Sequence, residues 1–155
     1  MDFVAGLAAW PGAALIRQSG TAYLFVNAAH ILGIGLLVGA ILPLDLRLLG
    51  FFRNAPLAAI GDFLTRAAAF GLALALATGF WLFTVKPAEY LANGAFLWKL
   101  GLLSLAIANI GLQHAGGYRR ALATGEVTLA MRIRAAISAT LWLGALLAGR
   151  WIGFL

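Results

Sequence analysis

Apolar residues run almost unbroken through four stretches of this chain, about 21–42, 63–85, 95–114 and 133–155, and polar residues gather between them. A bilayer core about 30 Å thick is crossed by roughly 20 apolar residues of helix. Each stretch therefore has the length of a transmembrane helix. Residues 3–16 are apolar too, but they are too few to cross and are interrupted by Trp10-Pro11. That pattern predicts a short N-terminal interfacial helix lying along the membrane surface. The connection over 44–62 carries Asp45, Arg47, Arg53 and Pro56, and that over 86–94 carries Pro87, Glu89 and Tyr90. The third, over 115–132, opens with Gly116-Gly117, a helix stop. Its stretch Glu126-Val127-Thr128-Leu129 either forms a short helix or extends the fourth span.

Composition removes the alternative of a water-soluble fold. Of 155 residues, 63% are hydrophobic and 10% charged, against about 45–50% and about 25% in an ordinary soluble domain. Much of a soluble chain this short must face solvent, and these residues cannot supply that surface. The expected fold class is all-α: a single integral membrane domain, 1–155, built as a four-helix bundle.

The charge pattern sets the expected orientation. The net charge of +6 would suggest nucleic acid in a soluble protein, but the basic residues are divided among loops rather than gathered on one face. Arg47, Arg53, Arg66, Arg119, Arg120, Arg132 and Arg134 flank the first and third connections; Arg17, Lys86, Lys99 and Arg150 belong to the other side. By the positive-inside rule the first and third loops are cytoplasmic and both termini lie outside. Tyr23, Trp81, Tyr90, Trp98 and Trp151 then fall near the outer interface, where amphipathic rings prefer to sit. The opening Met1-Asp2-Phe3 lacks the basic start of a secretory signal.

Inside hydrocarbon an ionisable or polar side chain is costly, so each is a functional candidate. His30 lies about 10 residues into the first span, roughly 15 Å below its outer end. Asn27 precedes it by one turn on nearly the same face. Neutral imidazole is a good ligand for haem iron or another transition metal, and an adjacent amide can orient its second nitrogen. A hydrogen bond across the bundle, or proton transfer, is the competing use. His114 closes the third span at the opposite side, at a depth differing by something like 10 Å. It shares a metal with His30 only if the spans are staggered, and is otherwise an interfacial histidine. Lys99 and Arg150 sit near the outer ends of their spans. They suit the propionates of a haem held by His30, or else snorkel to lipid headgroups.

The remaining polar residues read as packing. Asp45 is expected to pair with a cytoplasmic arginine such as Arg132 or Arg134, and Asn109 and Gln113 to hydrogen-bond between helices. Glycines four apart, Gly35 with Gly39 and Gly149 with Gly153, let helices approach closely within one bundle or in a homodimer. Cysteine is absent, and Met131 is the one methionine besides the initiator, which argues against thiolate centres and a copper path. No glycine-rich phosphate loop or serine–histidine–acid set is present.

Two long phrases, Ala29-His30-Ile31-Leu32-Gly33-Ile34-Gly35 and Leu44-Asp45-Leu46-Arg47-Leu48-Leu49-Gly50, resemble an uncharacterised family of small four-helix bacterial membrane proteins. Gly94-Ala95-Phe96-Leu97-Trp98-Lys99-Leu100 and Gly149-Arg150-Trp151-Ile152-Gly153-Phe154 extend the resemblance over nearly the whole chain. More distantly the layout is similar to HemJ-type protoporphyrinogen oxidases and to CopD-like membrane domains. In the HemJ-type pattern a histidine lies early in the first span, a Lys-Leu pair opens the third and a histidine closes it, as His30, Lys99-Leu100 and His114 do here. That resemblance implies a haem b ligated by His30, with Lys99 as a site residue. The lysine-to-histidine spacing is longer here, and Leu44-Asp45-Leu46-Arg47 replaces a basic, aromatic phrase, so the resemblance is not carried to the oxidase reaction.

The leading expectation is a haem-b-type redox protein of a bacterial inner membrane. It would pass electrons between the quinone pool, or an outer-side redox protein, and an acceptor. A cofactor-free membrane anchor or assembly subunit is the alternative, and CopD-like metal transport a further one.

Overall fold

The computed structural model describes residues 3–154. Eight α-helices follow in order: α1 (Phe3–Ala9), α2 (Pro11–Gln18), α3 (Gly20–Leu49), α4 (Leu57–Phe83), α5 (Pro87–Ala92), α6 (Gly94–Ala115), α7 (Tyr118–Thr124) and α8 (Leu129–Trp151), closed by a 3₁₀ turn, Ile152–Phe154. No strand occurs among the described residues. α3, α4, α6 and α8 with its 3₁₀ extension are each long and apolar enough to cross a membrane. The expected all-α chain of four spans is what the structure holds. Residues 1, 2 and 155, on which the expected ends of the chain fall, lie outside the described residues.

Helix ends follow local chemistry. Ser19, Asn93 and Thr128 accept hydrogen bonds from the backbone N–H of Ala22 (3.2 Å), Phe96 (3.2 Å) and Met131 (3.3 Å), capping α3, α6 and α8. Gly50, at φ 106°, ends α3 in the left-handed conformation that a Cβ disfavours. Two boundaries differ from the hydropathy pattern. α3 continues through Pro43 to Leu49, because the burial of Leu44 and Leu48 outweighs the hydrogen bond that proline removes. In the third connection the helix is Tyr118–Thr124, and Thr128 starts α8 directly.

α3 lies at the centre, packed on α4 and on α8, while α6 packs on α8. The α3–α4 crossing is a backbone contact. A Cβ on Gly33 would lie 2.7 Å from the Ala75 nitrogen, and one on Gly71 2.5 Å from the Leu37 nitrogen. Glycine alone permits that approach. α4 and α6 instead face each other across a cleft whose floor is α3 and α8. Side chains on the far faces, such as Phe25, Ile31, Phe63, Phe70, Leu105 and Leu147, are exposed, as suits helices solvated by lipid.

The two ends of the bundle differ. At one, α1 and α2 dock on the end of α4: Trp10 Nε1 donates to Thr84 Oγ1 (2.9 Å) and Trp81 Nε1 to the Gly12 carbonyl (2.9 Å). Phe83, Tyr90 and Phe96 stack beside them, with 5.5 Å between the Phe83 and Phe96 centroids. This is the aromatic end. At the arginine end Arg47 Nε donates to the Ala55 carbonyl (2.7 Å), and Tyr118 on α7 shares a hydrogen bond with Thr65 on α4 (2.8 Å).

Candidate functional site: two cavities in one cleft

The cleft between α4 and α6 contains two cavities, one above the other. The cavity towards the aromatic end measures about 360 Å³ and is lined mostly by aliphatic and phenyl side chains, among them Ile34, Leu72, Phe80 and Leu103. Its polar members are His30 from α3, Lys99 from α6 and Trp142 from α8. The second cavity, of about 350 Å³, lies towards the arginine end. Leu37 and Leu72 line both, and so form the partition between them.

His30 is held in one tautomer by its neighbours. Its Nδ1 lies 3.1 Å from Thr78 Oγ1 on α4, and Thr78 Oγ1 donates its only proton to the Leu74 carbonyl at 2.6 Å. The shared contact is therefore an Nδ1–H donated to the hydroxyl oxygen. Nε2 is left with its lone pair, in a ring that lines the apolar cavity. Gly79 makes room for this ring, since a Cβ there would lie 2.8 Å from His30 Cε1. The sequence reading gave the orienting role to Asn27. In the structure Thr78 occupies that position, and Asn27 is half-buried outside the cavity lining.

Lys99 reaches the same cavity along α8, its Cδ and Cε 3.5 Å from where a Gly149 Cβ would be. Arg150 does not line it; its guanidinium stacks over Phe154 at 4.7 Å and is exposed. Trp142, almost wholly buried, lines the cavity, and its Nε1 finds no hydrogen-bond partner. His114 belongs to the second cavity, exposed, with Nδ1 on the Ile110 carbonyl (2.9 Å) and its ring 5.1 Å from that of Tyr118. The structure thus brings His30 and Lys99 together and leaves His114 and Arg150 apart from them.

More polar side chains surround the second cavity than the first, although the surface of both is mostly apolar. Asn109 and Gln113 bridge α6 to α8 as expected, donating through Nδ2 to the Arg134 carbonyl (3.0 Å) and through Nε2 to the Met131 carbonyl (3.2 Å). Asp45 was expected to pair with Arg132 or Arg134. It makes neither ion pair; it is buried on α3, and Oδ2 has no partner. Arg134 turns instead towards Gly116 at the end of α6, where a Cβ would collide with the guanidinium.

Sequence reasoning missed Thr78, Trp142 and Ser138. The spacing of Arg134, Ser138 and Trp142, four residues apart along α8, is a signal that could have found the last two as one stripe, whereas nothing in the spacing singles out Thr78. Among the described residues no three His, Asp or Glu side chains converge on one point, so no metal cage is built from side chains alone. A metal that brings its own equatorial ligands needs only one imidazole. Comparison with protein-family models, with curated proteins and with solved structures finds no match for this chain.

Proposed function

We propose that the chain is a haem-b-type membrane redox protein, in which His30 would ligate the iron and Lys99 would balance the charge of the propionates. The observation that carries the reading is the His30 ring, with Nδ1–H tied to Thr78 and Nε2 free in an apolar cavity. A ligating histidine characteristically donates its other N–H to a fixed oxygen. The donor and lining fit a haem. The cavity, about 360 Å³, is near the lower bound of ligand sites, about 300–1,000 Å³. Bound there, haem supplies one-electron chemistry. The chain's own part is ligation, exclusion of water by Leu72, Phe80 and Leu103, and charge balance from Lys99.

In this reading the aromatic end faces outward, with α1 and α2 along the outer interface and both termini outside. The arginine end faces the cytoplasm of a bacterium, where anionic lipid favours basic loops. The redox partner is then the quinone pool or an outer-side redox protein. The chain has no cysteine, so single cysteines introduced at exposed Arg119 and Glu89 report orientation by labelling in intact cells.

A second reading is favoured by Trp142. A buried indole N–H without a partner, beside an ammonium in an apolar cavity, suits the carbonyl of a quinone-type ligand. Visible spectra of the purified protein, oxidised and reduced, separate the two. Haem bands that disappear in His30→Ala support the first. Bands that survive that change overturn the ligand assignment. No bands after haem supplementation, with quenching of tryptophan fluorescence by a quinone analogue that is lost in Trp142→Phe, support the second.

A further inference from the structure

The cavity at the arginine end raises a separate question, independent of what occupies the other. Its wall holds side chains of Asp45 (3% exposed), Ser138 (3%) and Gln113 (9%), each contributed by a different spanning helix. Asp45 Oδ2, Ser138 Oγ and Gln113 Oε1 are all buried and none has a partner at full hydrogen-bond geometry, with the Ser138 hydroxyl beside the Asp45 carboxyl. The orientation of the Gln113 amide is not arbitrary, because its Nε2 is committed to the Met131 carbonyl. A carboxyl group, an amide oxygen and a hydroxyl therefore lie within the wall of one partly open cavity. Leaving three such atoms unsatisfied in low dielectric is expensive.

The charge balance specifies what is missing. Arg134 Nη1 also lacks a partner and lines the cavity, but its guanidinium lies over Gly116 at the C-terminus of α6. The negative end of a helix dipole compensates a cation placed there. His114 is exposed with Nδ1 on the Ile110 carbonyl, and Tyr118 is occupied by Thr65. Asp62 is paired with Arg66 on the exposed side of α4. Asp45 is thus the one acid of the cavity, with no ion pair to it among the described residues. One carboxylate with neutral oxygens around it matches one positive charge, and oxygen-only donors select hard cations or N–H donors.

We propose that the Asp45–Gln113–Ser138 cavity binds a monovalent cation, an alkali-metal ion or a small ammonium, from the arginine-end side of the protein. At about 350 Å³ the cavity is roughly ten times the volume of one water. An alkali ion enters with part of its water shell; an ammonium places its N–H groups on the three oxygens directly. Leu37 and Leu72 close the cavity towards His30.

The test uses the full chain in nanodiscs. Thermal stability is followed while NaCl, KCl or methylammonium chloride replaces N-methylglucamine chloride, a cation too bulky for the cavity, at constant ionic strength. One of the three gives a saturable upward shift, and its identity separates the inorganic from the ammonium source. Asp45→Asn abolishes the shift while keeping the fold, since it removes the acid without changing shape. Ser138→Ala weakens apparent affinity by about tenfold, the equivalent of one hydrogen bond to a charge, and it serves alone should the Asn variant not fold. Absence of a shift with every cation, or a shift unchanged in Asp45→Asn or Ser138→Ala, overturns the proposal. Haem or quinone readouts at His30 are unaffected by either variant, so the two sites fail or stand separately.

Discussion

Gly33 of α3 and Gly71 of α4 meet backbone to backbone: a Cβ on Gly71 would lie 2.8 Å from the Gly33 carbonyl oxygen, and one on Gly33 3.0 Å from the Gly71 oxygen. This contact sets the distance at which His30, three residues before Gly33, meets Thr78, seven after Gly71.

Gly71→Ala will therefore force the two helices apart, because the colliding atoms are backbone and cannot rotate away. The expected loss is about 1–3 kcal/mol of stability, with weakened cofactor retention, measured by thermal unfolding in detergent and by the visible spectrum. Gly35→Ala, which meets nothing within 4 Å, is the control and should be neutral.

Thr78→Val keeps the shape of the side chain and removes the oxygen that accepts from His30 Nδ1. The imidazole then loses its fixed tautomer. Haem affinity should fall by about 10–100-fold, with a changed reduction potential in what remains bound. An unaltered potential and affinity would mean that Thr78 does not position the ligand.

Trp10 joins α1 and α2 to α4 through its N–H bond to Thr84 Oγ1. Trp10→Phe removes that bond at a cost of about 1 kcal/mol while keeping an aromatic ring against Trp81. Faster hydrogen exchange confined to α1, α2 and the end of α4 is the expected result, with the four spans unchanged.

Tyr118, in α7 outside the spans, has its hydroxyl pushed above the usual tyrosine value by burial first, opposed by the Thr65 hydrogen bond and reinforced by Asp62 and Asp45. Its folded pKa exceeds the unfolded one. The stability it contributes is therefore fully present below the unfolded value of about 10 and is lost as pH rises through the raised folded value. Tyr118→Phe should flatten the alkaline limb of the stability–pH profile. Tyr90, raised mainly by burial as well, leaves a residual slope.

Periodicity and hydropathy made the four spans, the break at Trp10-Pro11 and the bridging roles of Asn109 and Gln113 readable in advance, because lipid demands long apolar helices and leaves few polar residues to explain. Spacing alone could not tell which glycines carry a helix crossing. Gly35 and Gly39 looked suitable yet meet nothing within 4 Å, while Gly33 and Gly71, in different spans, do the work. Nor could it reveal that Asp45 would go without an arginine, since the α6 terminus that draws Arg134 away is distant in sequence.

What the residues determined by themselves is the class of molecule: an apolar chain of four spanning helices, with His30 and Lys99 as the groups whose burial needs a reason. Tertiary structure decided the rest. It chose Thr78 as the partner of His30, separated His114 and Arg150 from it, and gathered Asp45, Gln113 and Ser138 around a second cavity. The physical reason is that helix formation is local in sequence, whereas the face each helix turns to the others depends on which backbones can touch.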